Sequence, residues 1–212
     1  MLDNSLTANV IPATFWYLFE VLSIDGLPSR ARQEIDSVFP SSVAPLFDNP
    51  FLQSMYAEVL WLHVLALITR NVKQTHNLGD WILPQDKLIF ISSHAEHKNQ
   101  QWNDLDHNNI HHTPSEFLPE QFLVQDTKNF SLEGKKTKWI PYGLSEHMCP
   151  GRHIAKKQII MSFVVLLSRN DIKLLTPQGW RPGDNVERYG LGTQHPKLKV
   201  PFRIKQRNSM SV

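Results

Sequence analysis

Cysteine is almost missing from this chain: Cys149 is the only one among 212 residues. A lone thiol permits no intrachain disulfide, so an oxidising compartment is not implied. Excess charge is missing as well. The formal net charge of +2 gives no electrostatic case for nucleic acid or an anionic lipid surface. No stretch reaches the roughly 20 apolar residues that a membrane helix needs. The longest apolar stretches, residues 10–22 and 159–167, read as buried helices. Met1-Leu2-Asp3-Asn4-Ser5 lacks a basic region followed by an apolar core, so no signal peptide is expected. Internal repeats are lacking too. What the chain does have is 41% hydrophobic residues, enough to bury a core, and a length that suits one domain or two.

The single cysteine sits in Pro141-Tyr142-Gly143-Leu144-Ser145-Glu146-His147-Met148-Cys149-Pro150-Gly151-Arg152. A thiolate is a strong, soft metal donor, and Gly143 and Gly151 let the backbone wrap closely around its sulfur. Backbone N–H groups aimed at a sulfur moderate its charge and tune a metal behind it. A helical pattern begins just after Pro150-Gly151, placing the sulfur near a helix N-terminus, where negative charge is favoured. A lone cysteine is more often a buried, inert packing residue. Here the loop around it favours a ligand.

These residues resemble the heme-binding loop of the cytochrome P-450 family. The family pattern runs aromatic, glycine, variable, glycine, variable, basic, variable, cysteine, variable, glycine. Tyr142 stands for the usual phenylalanine, Gly143 matches, and Ser145 takes the place of the second glycine. His147 fills the basic position, Cys149 the ligand position and Gly151 the last glycine, and the likeness continues into Arg152-His153-Ile154-Ala155. It extends from about Asn4 to about Arg207 and corresponds to the C-terminal half of a family catalytic domain.

The resemblance implies a mainly α chain with small β-sheets (α+β), as one truncated domain over residues 1–212. It implies heme b with Cys149 as axial iron ligand, and cofactor-binding roles for Arg70, Tyr142, Gly143, His147 and Gly151. Arg70 and His147 would meet the heme propionates. The implied partners are a small apolar substrate, O2, and a flavoprotein reductase carrying electrons from NADPH. Eukaryotic members are usually anchored to the endoplasmic reticulum; the anchor and the helices before the long central one have no counterpart here. The expectation is a truncated protein or a sequence starting at an internal methionine.

Ala8-Asn9-Val10-Ile11-Pro12-Ala13-Thr14-Phe15-Trp16 reads as a helix reaching Glu20 and bent by Pro12, which removes a backbone donor. Most family members carry an acid and a threonine in this central helix as a proton relay. Ile11, Pro12 and Ala13 stand at the matching positions, so that relay is missing. The Asn-x-x-Pro-Ala-x-Phe-Trp form resembles the branch containing cholesterol 7α-hydroxylase-like enzymes and prostacyclin synthase. There Asn9 would be the polar group facing the oxygen or peroxide ligand. An ordinary core helix with a proline kink is the plainer alternative.

Further along, residues 28–37 predict an amphipathic helix, followed by a Pro- and Ser-rich connection through Pro45. Asn49-Pro50 caps a second helix ending near His63. The family's Glu-x-x-Arg pair falls on Glu58 and Trp61, and the later arginine that joins it falls on Gln121 in Phe117-Leu118-Pro119-Glu120-Gln121-Phe122. Stranding one member of a buried ion pair typically costs ~3–5 kcal/mol. Glu58 should therefore protonate, take new hydrogen bonds or turn to solvent, and Trp61 could fill the vacated volume.

Strands are expected at residues 69–73, 81–82 and 87–92, with a turn at Pro84-Gln85-Asp86. His94, His97, His107, His111 and His112 could suggest zinc, but their Asn- and Asp-rich surroundings favour a solvated irregular loop. His153–Ser168 predicts a buried helix with Ile154, Ile159, Ile160, Phe163, Val164 and Leu167 inward and Lys156 and Lys157 outward. Residues 188–193 and 199–203 resemble terminal β-hairpins, with Tyr189-Gly190-Leu191-Gly192-Thr193 reaching toward the substrate chamber. Two functions stay open: a heme-thiolate monooxygenase acting on a steroid, terpenoid or other secondary metabolite, and a degenerate, catalytically inactive relative.

Overall fold

A computed structural model of the chain describes residues 3–99, 115–135 and 137–207. Helices α1 (Asp3–Ser23), α2 (Leu27–Asp36), α4 (Pro50–His63) and α6 (Arg152–Arg169) form the body, with short helices α3 (Ala44–Asp48) and α5 (Ser93–His97) beside them. The expected class, helices with small antiparallel sheets, is what the chain adopts. Helix α1 is longer than predicted at both ends and continues across Pro12. Part of the Pro- and Ser-rich connection is the helix α3.

Helix α4 is the centre of the molecule. Asn49 Oδ1 accepts the Leu52 N–H at 2.9 Å and Pro50 opens the first turn, the capping arrangement expected from sequence. Apolar residues on nearly every side of α4 are buried, because helices and a sheet surround it. Tyr17 ties three helices together: its ring stacks on Phe163 of α6 at 3.9 Å and its hydroxyl donates to Leu52 O of α4 at 2.7 Å.

On α6 the buried stripe is Ile159, Ile160, Phe163, Val164 and Leu167. Two sequence expectations fail here for one reason. At about 100° per residue, Ile154 points roughly opposite Phe163, while Lys156 falls on the stripe. Ile154 is accordingly 57% exposed, and Lys156 is half-buried, donating to Gln53 Oε1 at 2.7 Å. Burial lowers the Lys156 pKa. At the far end of α6, Arg32 of α2 donates to Leu167 O and Asn170 O, covering carbonyls left open by the helix terminus.

The chain passes from α4 straight into β1 (Val64–Asn71), and β2 (His76–Leu78), β3 (Trp81–Leu83) and β4 (Leu88–Ser92) follow. Strand β5 (Asn170–Leu174) comes after α6, then β6 (Leu191–Thr193) and β7 (Phe202–Gln206). The site-bearing sheet has the order β4-β1-β6, all antiparallel, with Arg70 opposite Ile89 and Ala66 opposite Leu191. The tail is therefore not a pair of local hairpins. Strand β6 pairs with β1 and β7 pairs with β5, which places residues 190–193 beside the end of α4.

The histidine-rich segment also departs from expectation. His94 and His97 lie on α5 rather than in a loop, and His97 is fully buried. His107, His111 and His112 lie outside the described residues. Among the described residues, no cluster of three or more His, Cys, Asp or Glu could hold a metal ion. No single described helix is long and apolar enough to cross a membrane.

Candidate functional site

The cysteine loop is held by its own backbone. Cys149 N–H donates to Tyr142 O at 2.9 Å, Gly143 N–H to Ile140 O at 3.1 Å, and Met148 N–H to Ser145 O at 3.1 Å. These bonds fold residues 140–149 into a tight bulge that leaves Cys149 exposed. Gly143 has φ 85° and Ser145 has φ 57°, the left-handed region. Ser145 thus takes the backbone shape for which the pattern normally supplies a glycine. Gly151 then caps α6, so Cys149 stands just outside a helix N-terminus.

Side chains fasten the loop to the scaffold. Arg70 Nη2 on β1 donates to Leu144 O at 2.8 Å. Trp139 Nε1 donates to Ala57 O of α4 at 3.1 Å, and the Tyr142 and Tyr56 hydroxyls share a short hydrogen bond. Burial pushes the Tyr142 phenol up to about 12, so it stays protonated at neutral pH.

Above the loop lies a cavity of about 630 Å³. Asn9, Arg70, Tyr142, Gly143, His147, Cys149 and Gly151, every site residue expected from sequence, line it. Leu60, Val64, Leu67, Ile68 and Leu191 supply apolar wall. Asn9 is not simply facing the cavity: its Oδ1 accepts the Thr193 N–H at 3.0 Å, tying α1 to β6. Gly192 lies against the same amide with φ 113°, and a Cβ there would collide with Asn9.

The family's Glu–arginine lock, expected to be missing here, is replaced by neutral partners. Glu58 is 1% exposed and accepts the Leu118 N–H at 3.2 Å. In the orientation that satisfies both groups, the Gln121 amide also donates to Glu58, at 3.1 Å to Oε1. Of the outcomes open to Glu58, new hydrogen bonds are realised and a turn to solvent is not. Trp61 is buried between His97, on which it stacks, and Phe122, which it meets edge-on.

Sequence reasoning missed an ionic group beside the cavity, with Glu20 and His63 buried and Asp184 and Arg181 nearer the surface. His63 Nε2 lies 2.8 Å from Glu20 Oε1, and His63 Nδ1 lies 3.2 Å from Asp184 Oδ1. Arg181 donates to both Glu20 oxygens. One signal was available: Asn9, Ala13, Trp16 and Glu20 fall on one face of α1 at helical spacing. The partners at 181 and 184 are too distant in sequence to be inferred.

Comparison with known proteins agrees with this geometry. The family model described as Cytochrome P450 matches residues 7–202. Cytochrome P450 monooxygenase efuG of Hormonema carpetanum is 33% identical, over 94% of this chain and 41% of that protein. Prostacyclin synthase of Bos taurus is 26% identical, over 94% of this chain and 43% of that protein. A crystal structure of a cytochrome P450, CYP102L1, superposes with a TM-score of 0.73 at 18% identity, covering 94% of this chain and 42% of the other. The chain thus spans about two fifths of the length of these curated relatives.

Proposed function

This chain belongs to the cytochrome P450 family, and on that premise we propose that it forms the heme-bearing part of a monooxygenase for a small apolar substrate. The observation that carries the reading is that Cys149, Arg70 and His147 line one cavity with apolar walls. The donor set fits heme: an exposed soft sulfur for iron, two basic side chains for propionate carboxylates, and a cavity of about 630 Å³. Bound there, heme with a thiolate ligand supplies O2 activation and O–O cleavage.

The chain's own residues do the remaining work. The helix N-terminus lies just behind Cys149, where its dipole would face the negative charge of a metal-bound sulfur. Arg70 and His147 orient the carboxylate edge of the cofactor, and the apolar wall excludes water and selects an apolar substrate. Because Thr193 N–H occupies the Asn9 oxygen, Asn9 has its amide nitrogen left to donate to an oxygen atom in the cavity. Electrons would come from NADPH through a flavoprotein reductase, and the branch resemblance of the α1 motif supports a steroid, terpenoid or other secondary metabolite as substrate.

The alternative reading, an inactive relative, draws on Trp61 and Gln121 at the positions of two arginines. The hydrogen-bonded Glu58 argues against a broken scaffold. Reconstitution with heme, reduction and exposure to CO decides between them. A thiolate-type Soret band that disappears in Cys149→Ser supports the heme-thiolate reading. Failure to retain heme, or a band unchanged by the substitution, overturns it.

A further inference from the structure

One face of α1 holds the C-terminal segment that walls the cavity. Asn9 accepts from Thr193 N–H at 3.0 Å, and Trp16 Nε1 donates to Gln194 O at 2.7 Å. Glu20, one turn further, meets His63 and Arg181. From the other side, His63 O accepts the Gln194 N–H at 2.9 Å, and the His63 ring lies flat on Trp16, 3.8 Å between centroids. Asp184, the second carboxylate on His63, belongs to a narrow ladder with residues 195–197 through Asn185 N–H to His195 O and Lys197 N–H to Gly183 O. The strand lining the cavity is therefore bracketed by His63 through its main chain, its ring and both its nitrogens.

We infer that His63, ion-paired with both Glu20 and Asp184, is a positioning residue that fixes strand β6 as a wall of the Cys149 cavity. Two carboxylates facing the two ring nitrogens require the doubly protonated imidazolium, since a neutral ring has only one N–H to donate. With Arg181 present, the charges of Glu20, Asp184, His63 and Arg181 cancel within the cluster. Lys98 acts on Asp184 from the residue after α5, and Asp184 in turn acts on His94. Burial opposes charge on His63, but its hydrogen bonds to Asp184 and Glu20 and their charges prevail and raise its pKa. Removing the proton leaves two buried or half-buried carboxylates sharing Arg181 and Lys98, and strand β6 loses its brace.

The role as a cavity wall rests on the heme-site reading above; the bracing itself is measured without heme. Amide hydrogen exchange of the chain reads it directly, because the Thr193 and Gln194 amides donate to Asn9 and to His63 O. In His63→Phe, which keeps a ring on Trp16, protection at residues 192–194 should fall by about tenfold or more, while the β5–β7 pair at Ile172 and Ile204 stays within about twofold. Unchanged protection at 192–194, or equal loss in both regions, overturns the inference. Should that variant not fold, a pH series on the unaltered chain serves. Protection at 192–194, corrected for intrinsic exchange, must drop before β5–β7 as pH rises through the His63 pKa, and parallel loss overturns the inference. Added heme gives a separate readout: weaker retention in a folded His63→Phe supports the positioning role, and equal retention overturns it.

Discussion

Trp61 lies flat against His97, with ring centroids 4.4 Å apart and planes 15° from parallel. His97 completes the arrangement through its edge: Nδ1 donates to Trp61 O at 2.9 Å and Nε2 accepts the Ile140 N–H at 3.3 Å. The ring is thus neutral and fully used. It links the residue standing in place of the usual arginine to the segment entering the cysteine loop.

Restoring the familiar motif should therefore do harm. In Trp61→Arg, a buried indole and its stacking contacts are exchanged for a guanidinium beside the neutral His97 ring. Loss of a large buried aromatic costs about 3–5 kcal/mol, and a new ion pair with Glu58 offsets little of the guanidinium's desolvation. Urea denaturation should show Trp61→Arg less stable by about 3 kcal/mol.

Acid should weaken the fold through His97. Burial pushes its pKa from 6.5 to about 4, so below pH 6.5 the unfolded chain binds a proton that the folded chain refuses. Stability falls as pH drops through that interval, by at most about 3 kcal/mol from this group. The slope of unfolding free energy between about pH 6.5 and 5 should be smaller in His97→Phe than in the unaltered chain.

His63 works in the opposite direction. Its folded pKa is raised, so its contribution is complete below the unfolded value and is lost as pH climbs through the folded one. For Glu20 and Asp184, burial pulls the pKa upward, but the hydrogen bond and charge of His63, with help from Arg181, lower both. Their contribution is present above the unfolded carboxylate range and disappears as pH falls through the folded values. Calorimetric Tm plotted against pH should form a dome whose alkaline limb flattens in Glu20→Gln.

Ser145→Gly should stabilise the chain. A left-handed L residue costs about 1–2 kcal/mol, and glycine's extra freedom in the unfolded chain returns about 0.5–1 kcal/mol of that. The net gain of about 0.5–1 kcal/mol should appear as a higher Tm.

Gly192→Ala should have the reverse effect. Its φ of 113° strains any side chain, and the new methyl would displace the Asn9 amide from Thr193. A loss of about 1–3 kcal/mol is expected, together with faster exchange at the Thr193 amide.

The local chemistry of the site could be read from sequence because it lies within short segments. Residues 141–151 carry their own spacing, and Asn49-Pro50 carries its own cap. Lys156 and Ile154 were misplaced although the information was there, since helical phase and not hydrophobicity alone decides which side faces the core. The pairing of β6 with β1 was not legible, because partners separated by over a hundred residues leave no local trace, and β7 reaches β5 across an intervening segment that includes β6 itself. His63 was invisible as a site residue for the same reason: Glu20 and Asp184 reach it from opposite ends of the chain.

Arg70 holds the Leu144 carbonyl while also standing at the cavity rim. A carboxylate arriving at that rim would meet a guanidinium that also donates to Leu144 O and Thr69 O. One side chain thus couples where the loop sits to the charge offered at the rim.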